Sequence, residues 1–270
     1  MPNIQIVVLL LTLFQSIANC AESNGSLSIV IDDLGYNHHD LQALSLPIAI
    51  TFSILPFTPQ GKQIAKLAHQ QGREILVHVP MQAKKNNHLL GKGALLSTMQ
   101  EKEFKMVLRQ DLTYIPYAQG VNNHMGSLLT EQSEPMRWAM EVLFERGLYF
   151  LDSRTSSNSL AETTANLLNV PVLRRHVFLD NIKTFEAMNK QYQIALKLTK
   201  NHQQVIVIAH PYSETLRFLK EKFKSNSANN QLTTLNALIS PAQRSVMALK
   251  KRSFQQANNL PLTPSISASQ

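Results

Sequence analysis

Two adjacent carboxylates, Asp32-Asp33, end the apolar run Leu27-Ser28-Ile29-Val30-Ile31 and are followed by Leu34-Gly35. Anions at the edge of a low-dielectric core are costly unless a cation or open water meets them. A metal ion, an arginine or water at an open mouth would each serve; a helix N-cap is the structural alternative. Other polar residues end other apolar runs: His78, Asn122-Asn123-His124, Asp152 and His210. Taken singly, each has an ordinary explanation: a satisfied histidine, a cap at Asp152-Ser153, a turn at Asn122-Asn123. Caps and turns do not account for three histidines at matching places. One carboxylate with two neutral imidazoles is a common Zn2+ ligand set that leaves a position for water, and the metal lowers the pKa of that water. A second carboxylate can then remove the proton, and a histidine across the site can protonate the leaving group. Asparagine side chains and Arg154 could stabilise an oxyanion or hold a substrate hydroxyl. The chemistry described is hydrolysis of an amide or ester by activated water. His38, His39, His69, His88 and His202 fall on predicted helices or loops and read as surface residues.

These residues need elements that bring them to one place. Apolar runs predict strands at Leu27–Ile31, Ile48–Leu55, Glu74–Val79, Gly120–His124, Leu148–Leu151, Val170–Leu179 (interrupted by Arg174-Arg175-His176) and Gln204–Ala209, with a weak one within Leu232–Ile239. Helical spacing predicts helices around His38–Leu44 and over Gln60–Gln71, Thr98–Tyr114, Thr130–Arg146, Ser159–Leu168, Thr184–Leu198 and Ser213–Phe223. Gly72 and Gly147 act as stops, and Thr98 to Glu101 as a capping-box-like start. Strand-helix alternation of this kind argues an α/β class with a parallel sheet. With about 215 residues after residue 24, a single-domain distorted (β/α) barrel of seven to eight parallel strands fits better than two domains. The carboxyl ends of such strands face one mouth, where barrel active sites lie.

The chain of 270 residues is 44% hydrophobic, enough for a large core, and only 16% charged, which excludes a long solvated coiled coil. Its formal charge of +8 favours anionic partners, but Lys and Arg are scattered, so nucleic acid is not expected as a partner. Cys20 is the only cysteine, so an intrachain disulfide and a cysteine zinc site are excluded. Ile4 to Phe14 is nearly all apolar, followed by small residues at Ser16-Ile17-Ala18 and Ala18-Asn19-Cys20. That is too short to span a bilayer and suits a signal segment over 1–20, hence export to the periplasm with no stable membrane span after cleavage. The domain is expected over 24–240. From residue 241 the composition turns to Gln, Asn, Ser, Lys and Arg, and 241–270 reads as a disordered basic and polar tail.

The strings Ile31-Asp32-Asp33-Leu34-Gly35, Leu55-Pro56, His78-Val79-Pro80-Met81, Gly120 to Ser127 (Gly-Val-Asn-Asn-His-Met-Gly-Ser), Phe150 to Thr155 (Phe-Leu-Asp-Ser-Arg-Thr), Phe178-Leu179-Asp180-Asn181 and His210-Pro211 resemble the divergent polysaccharide deacetylase family. They span residues 27 to about 240. The resemblance implies a distorted (β/α) barrel and metal-dependent N- or O-deacetylation of a polysaccharide, with a divalent metal, zinc first, as cofactor. It implies Asp32 as base, Asp33 as metal ligand and His78 as the first motif histidine. The usual second histidine, four residues on, is replaced by Gln82, so the third ligand moves to His124. His210 resembles the late histidine that acts as general acid, with a ligand role as its alternative. Asp152 joins the catalytic candidates; Asn122, Asn123 and Arg154 are the substrate-binding ones. The familiar Arg-x-Pro-Tyr motif is missing, Asn122-Asn123 standing in its place, and His176 occupies a position where an Asp is usual.

The expected substrate is a polysaccharide or peptidoglycan-type glycan of the bacterial cell envelope. A second reading keeps the barrel without catalysis and uses its mouth to bind glycan or a cell-envelope protein. A third, hydrolysis of a glycosidic or phosphoester bond, leaves the histidines surplus or calls for more carboxylates.

Overall fold

The computed structural model describes residues 25–201, 204–224 and 232–258. The expected signal segment 1–20, His202 and the end of the tail lie outside the described residues. Eight strands, all parallel, form one curled sheet: β1 (Leu27–Leu34), β2 (Thr51–Ile54), β3 (Ile75–Met81), β4 (Gly120–Met125), β5 (Tyr149–Asp152), β6 (Val172–Arg174), β7 (Val177–Phe178) and β8 (Val205–Ala209). Their order is β6-β5-β4-β3-β2-β1-β8-β7. The expected strand over Val170–Leu179 is thus two short pieces at opposite edges. The first pairs with β5, the second with β8, so one extended stretch brings the sheet's two edges together. The ladder breaks at Arg175-His176, where Arg175 N–H donates to Asp152 O and His176 N–H to Ile206 O. His176 Nδ1 also accepts from Ile206 N–H at 3.0 Å. His176 therefore helps close the distorted barrel.

Six principal helices surround the sheet: α1 (Gly61–Gln70), α2 (Glu101–Tyr114), α3 (Ser133–Arg146), α4 (Ala161–Leu167), α5 (Phe185–Thr199) and α6 (Ser213–Lys222). Alternation along the strands explains both layers. Ile29, Ile31, Val77, Val79, Phe150 and Val207 face the helices in the larger core. Val30, Leu76, Tyr149, Leu151, Ile206 and Ile208 fill the barrel interior. Gly120 leaves room for the Tyr149 ring, since a Cβ there would fall 2.8 Å from it. At the amino end of the strands the buried Glu74 accepts from Thr51 Oγ1 (2.8 Å), Tyr149 Oη (2.9 Å), Leu235 N–H (2.7 Å) and Asn236 N–H (2.8 Å). These bonds close the barrel floor.

Three expectations need correction. α2 starts at Glu101 with Gln100 as N-cap and no side-chain cap bond, so Thr98 does not open it. The expected last strand is only a bridge, Leu27 to Leu232, followed by a short helix, Leu235–Leu238, which is held by Glu74. The region from 241 is not disordered throughout: Pro241–Ala257 is a helix with a Ser240–Gln243 capping box and Pro241 in its first turn. It packs along the end of α3, where Arg146 lies 4.6 Å from the Phe254 ring and Lys250 4.1 Å from Phe144. Polar composition disguised it because the helix buries no residue completely. No described helix is long and apolar enough to cross a membrane.

Candidate metal centre

β1 carries Asp32 inward, two residues after the interior Val30. Strict alternation would send Asp33 to the outer face. Instead Asp33 takes a left-handed φ of +58°, and the β1–β2 register shifts between Ile31 and Leu34. A bulge re-aims a side chain in this way, and here it turns both carboxylates to the mouth. On β3 and β4, His78 pairs in register with Asn122, and Pro80 with His124, so His124 stands one interior step nearer the carboxyl end than His78.

Asp33 Oδ1 is the centre of the cluster, 2.9 Å from His78 Nε2 and 2.8 Å from His124 Nδ1. One donor atom from each of Asp33, His78 and His124 lies within 4.8 Å of the others. Asp32 Oδ2 stands 3.8 Å from His78 Nε2. Asn122 is fully buried and ties this arrangement together: its Nδ2 donates to Asp32 Oδ1 at 2.8 Å, and its Oδ1 meets His78 Nδ1 at 2.7 Å. Ser53 Oγ also donates to Asn122 Oδ1. A proton on His78 Nδ1 leaves the Nε2 lone pair aimed at the cluster, as a metal ligand requires. His210 closes the far side, with Nε2 3.9 Å from Asp33 Oδ2. Its ring is fixed by Asp180, which is bound to Nδ1 at 2.9 Å and itself accepts from His210 N–H (2.7 Å) and Thr215 Oγ1 (2.9 Å). A cleft of about 400 Å³ opens over Asp33 and His210, walled by Tyr36, His39, Tyr212 and Glu214.

The electrostatics follow from two carboxylates in a confined space. Burial raises the Asp32 carboxyl above its usual range, against the pull of His78 and His210. Burial acts the same way on Asp33, but hydrogen bonds from His124 and His78 outweigh it and hold Asp33 well below that range. Burial opposes charge on His78, yet Asp32 and Asp33 keep its pKa raised. For His210, burial is outweighed by Asp180 and then by Asp33 and Asp32, and its pKa is pushed up to about 9. The cluster therefore calls for positive charge, which a divalent cation can supply in place of protons. The donor set of one carboxylate oxygen and two imidazole nitrogens fits such an ion.

The structure thus assembles Asp32, Asp33, His78, His124 and His210, but it relocates the others. Asp152 does not join the mouth. It is fully buried, one residue out of step with the interior Leu151, and its contacts are Arg154 N–H at 2.7 Å and the Arg154 guanidinium at 3.7 Å. It shapes the turn after β5, the cap-like alternative the sequence offered. Asn123 is buried too, its Nδ2 donating to Met125 O at 2.7 Å and its Oδ1 accepting from Ser153 N–H at 2.9 Å. It braces the ends of β4 and β5 and is not available to substrate. Asn122, at zero exposure, positions Asp32 and His78 rather than touching substrate. Arg154 is partly exposed and donates to Ser157 O at 3.2 Å within its own loop. In the sequence Asp180 suggests only a glycosidase-type carboxylate partner for Asp32; the structure makes it the anchor of His210. The signal was register: Phe178 pairs with Ile208, so residues 180 and 210 fall side by side at the mouth. Ser53 carried no sequence signal.

A protein of Escherichia coli (strain K12), uncharacterized protein YibQ, is 36% identical over 220 residues, 81% of this chain and 69% of its own length. An uncharacterized protein of Haemophilus influenzae is 32% identical over 217 residues, 80% of this chain and 77% of its own. In fold, the crystal structure of uncharacterized protein ATU2773 from Agrobacterium tumefaciens C58 matches with a TM-score of 0.74 at 22% identity, covering 81% of this chain and 91% of that one. The family model described as divergent polysaccharide deacetylase matches residues 29–239, from β1 through the floor helix that Glu74 holds. The chain belongs to the divergent polysaccharide deacetylase family.

Proposed function

We propose that this chain is an exported, zinc-dependent carbohydrate deacetylase that removes acetyl groups from a glycan of the bacterial cell envelope. One observation carries the reading: Asp33, His78 and His124 converge at the barrel mouth with a second carboxylate on one side and an anchored histidine on the other. Asp33 Oδ1, His78 Nε2 and His124 Nδ1 are the donors that would hold the ion. When bound, the ion supplies an activated water and polarises the acetyl carbonyl. Asp32 takes the proton from the attacking water as general base. His210, with Nδ1 engaged by Asp180, presents Nε2 to the cleft and gives its proton to the departing sugar nitrogen or oxygen. Asn122 holds Asp32 and His78 in step. Tyr36 and Tyr212 offer aromatic walls on which a sugar ring can lie. The periplasmic address rests on the apolar stretch Ile4 to Phe14 and the small residues after it.

The test is elemental analysis of the purified protein beside His78→Ala and His124→Ala. Wild type should carry about one zinc per chain, as a three-ligand site implies, and both variants should lose it. Acetate release from acetylated envelope glycans should then be measured, with Asp32→Asn retaining zinc and losing turnover. A wild type that takes up no zinc when it is supplied removes the basis of the enzyme reading. The barrel would then be read as a glycan- or protein-binding module.

A further inference from the structure

A second concavity, about 1020 Å³, lies between α1, α2 and the loops that leave β2 and β3. Its volume is at the upper end for ligand sites. Four cations line it, Lys62, Lys92, Lys102 and Arg109, and no Asp or Glu does. Arg109 is paired with Glu145 at 2.8 Å, whereas Lys62, Lys92 and Lys102 have no ion-pair partner among the described residues. Unpaired cations crowding one concavity repel one another and favour an anionic occupant.

Its wall is aromatic. Phe57 and Tyr114 stand with ring centroids 4.7 Å apart, and Lys62 and Lys92 lie 4.5 and 5.3 Å from the Tyr114 and Phe57 rings. Phe57 adopts a left-handed φ of +55°, uncommon for a bulky side chain and a conformation that costs energy to hold. Behind the groove, Asp111 is fully buried with neither carboxylate oxygen bonded, and its Oδ1 packs against Gly93, where a Cβ would fall 2.3 Å away. Burial pushes its pKa up to about 9, so it adds no negative charge beneath the lysines at neutral pH.

The groove lies beside the mouth. Phe57 and Lys92 to Ala94 sit in loops that begin at the carboxyl ends of β2 and β3, the ends that carry the candidate metal centre. Tyr36, a wall of the mouth cleft, packs its hydroxyl against Gly91, where a Cβ would fall 2.2 Å from Oη. Tyr36 and the turn at 91–93 stand between cleft and groove. A chain bound in the cleft and crossing Tyr36 meets aromatic rings with lysines set against them.

We infer that the α1–α2 groove is a subsite for an acidic glycan, in which Lys62, Lys92 and Lys102 engage sugar carboxylates beside the Phe57–Tyr114 pair. The inference rests on the reading of the mouth as a glycan site and extends it to the class of glycan, a carboxylate-bearing polymer. Sugars present an apolar C–H face and polar edges, which matches aromatic rings with cations set against them. The groove needs no metal, so its test has its own readout.

The test is calorimetric binding of a galacturonic acid hexasaccharide and of a neutral chitin hexasaccharide to wild type and to the triple variant Lys62→Gln/Lys92→Gln/Lys102→Gln. The acidic oligosaccharide should bind wild type about tenfold more tightly than the neutral one, the scale of three solvent-exposed charge contacts, and more weakly as salt rises. The triple variant should lose that advantage, keep its affinity for the neutral oligosaccharide and keep wild-type zinc content. Equal affinity of wild type for both, no binding of the acidic one, or an acidic affinity untouched by the triple variant overturns the inference. So does tighter binding of single-stranded DNA of matched charge, which would make the patch a general polyanion surface. Zinc loading with no acidic preference sinks the subsite alone; acidic preference without zinc sinks the enzyme reading alone.

Discussion

Asn122→Leu tests the reasoning about the site most directly. Asn122 is completely buried and has three close polar partners, Asp32 Oδ1 at 2.8 Å, His78 Nδ1 at 2.7 Å and Ser53 Oγ, with Ser153 Oγ farther off at 3.4 Å. Leucine has similar volume and no polar atom, so the substitution strands all three with little change in packing. A buried polar group left unpaired costs about 1–3 kcal/mol, more if charged. Three such groups set a scale of about 3–6 kcal/mol after relaxation, within the ~5–15 kcal/mol stability of an ordinary domain. The variant should therefore fold but be markedly destabilised. The ring of His78 also loses the partner that fixes its tautomer, and loss of such a partner typically weakens metal binding about 10–100-fold. Ser53→Ala is the control: it removes one neutral contact, should cost about 1 kcal/mol and should leave zinc affinity near wild type. Urea unfolding of the metal-free proteins and zinc competition against a chelator measure the two effects separately. If Asn122→Leu binds zinc within about twofold of wild type while losing the expected stability, Asn122 does not orient His78. If stability is unchanged as well, the buried network does not exist in solution.

Two other outcomes are expected. Asp180→Asn, at the carboxylate that accepts from His210 Nδ1, His210 N–H and Thr215 Oγ1, should keep zinc but lower acetate release on the order of 10²–10⁴-fold, as for other histidines deprived of an orienting carboxylate; unchanged turnover would remove His210 from the reaction. Asp111→Asn should flatten the pH dependence of stability: burial pushes Asp111 up to about 9 in the fold, so the folded state holds the proton more tightly, and wild-type stability is fully present below the unfolded carboxylate pKa and is lost as pH rises through about 9. The slope is about 1.4 kcal/mol per pH unit, so the variant's advantage over wild type should grow by up to about 4 kcal/mol between pH 5 and pH 8, and parallel urea-unfolding profiles would refute it.

Much of the fold was legible because strand and helix periods differ. The runs at Leu27, Glu74 and Gln204 read as strands, and they are β1, β3 and β8 of a parallel sheet. What failed was long-range or marginal. Val170–Leu179 looked like one broken strand, and only pairing with β5 on one side and β8 on the other shows why it breaks at Arg175-His176. Pro241–Ala257 lacks an apolar face strong enough to signal itself, and its order comes from Phe254 and Met247 resting on α3 and the floor.

By itself, the sequence determined which residues could share a metal. Asp32, Asp33, His78, His124 and His210 follow apolar runs, and the carboxyl ends of parallel strands must meet at one mouth; the choice of Asp33, His78 and His124 as ligands came from the family resemblance. Tertiary structure alone decided which of the neighbouring polar residues face that mouth. Side chains alternate along a strand, so a step of one residue separates the interior Asn122 from the bracing Asn123, and the interior Leu151 from the outward Asp152. At Asp33 the rule is broken by a left-handed residue at a register shift, which turns two consecutive carboxylates to the same side. No sequence period encodes that bulge. Nor does any period place Asp180 beside His210 or Ser53 beside Asn122, because those contacts are fixed by the register between strands far apart in the chain.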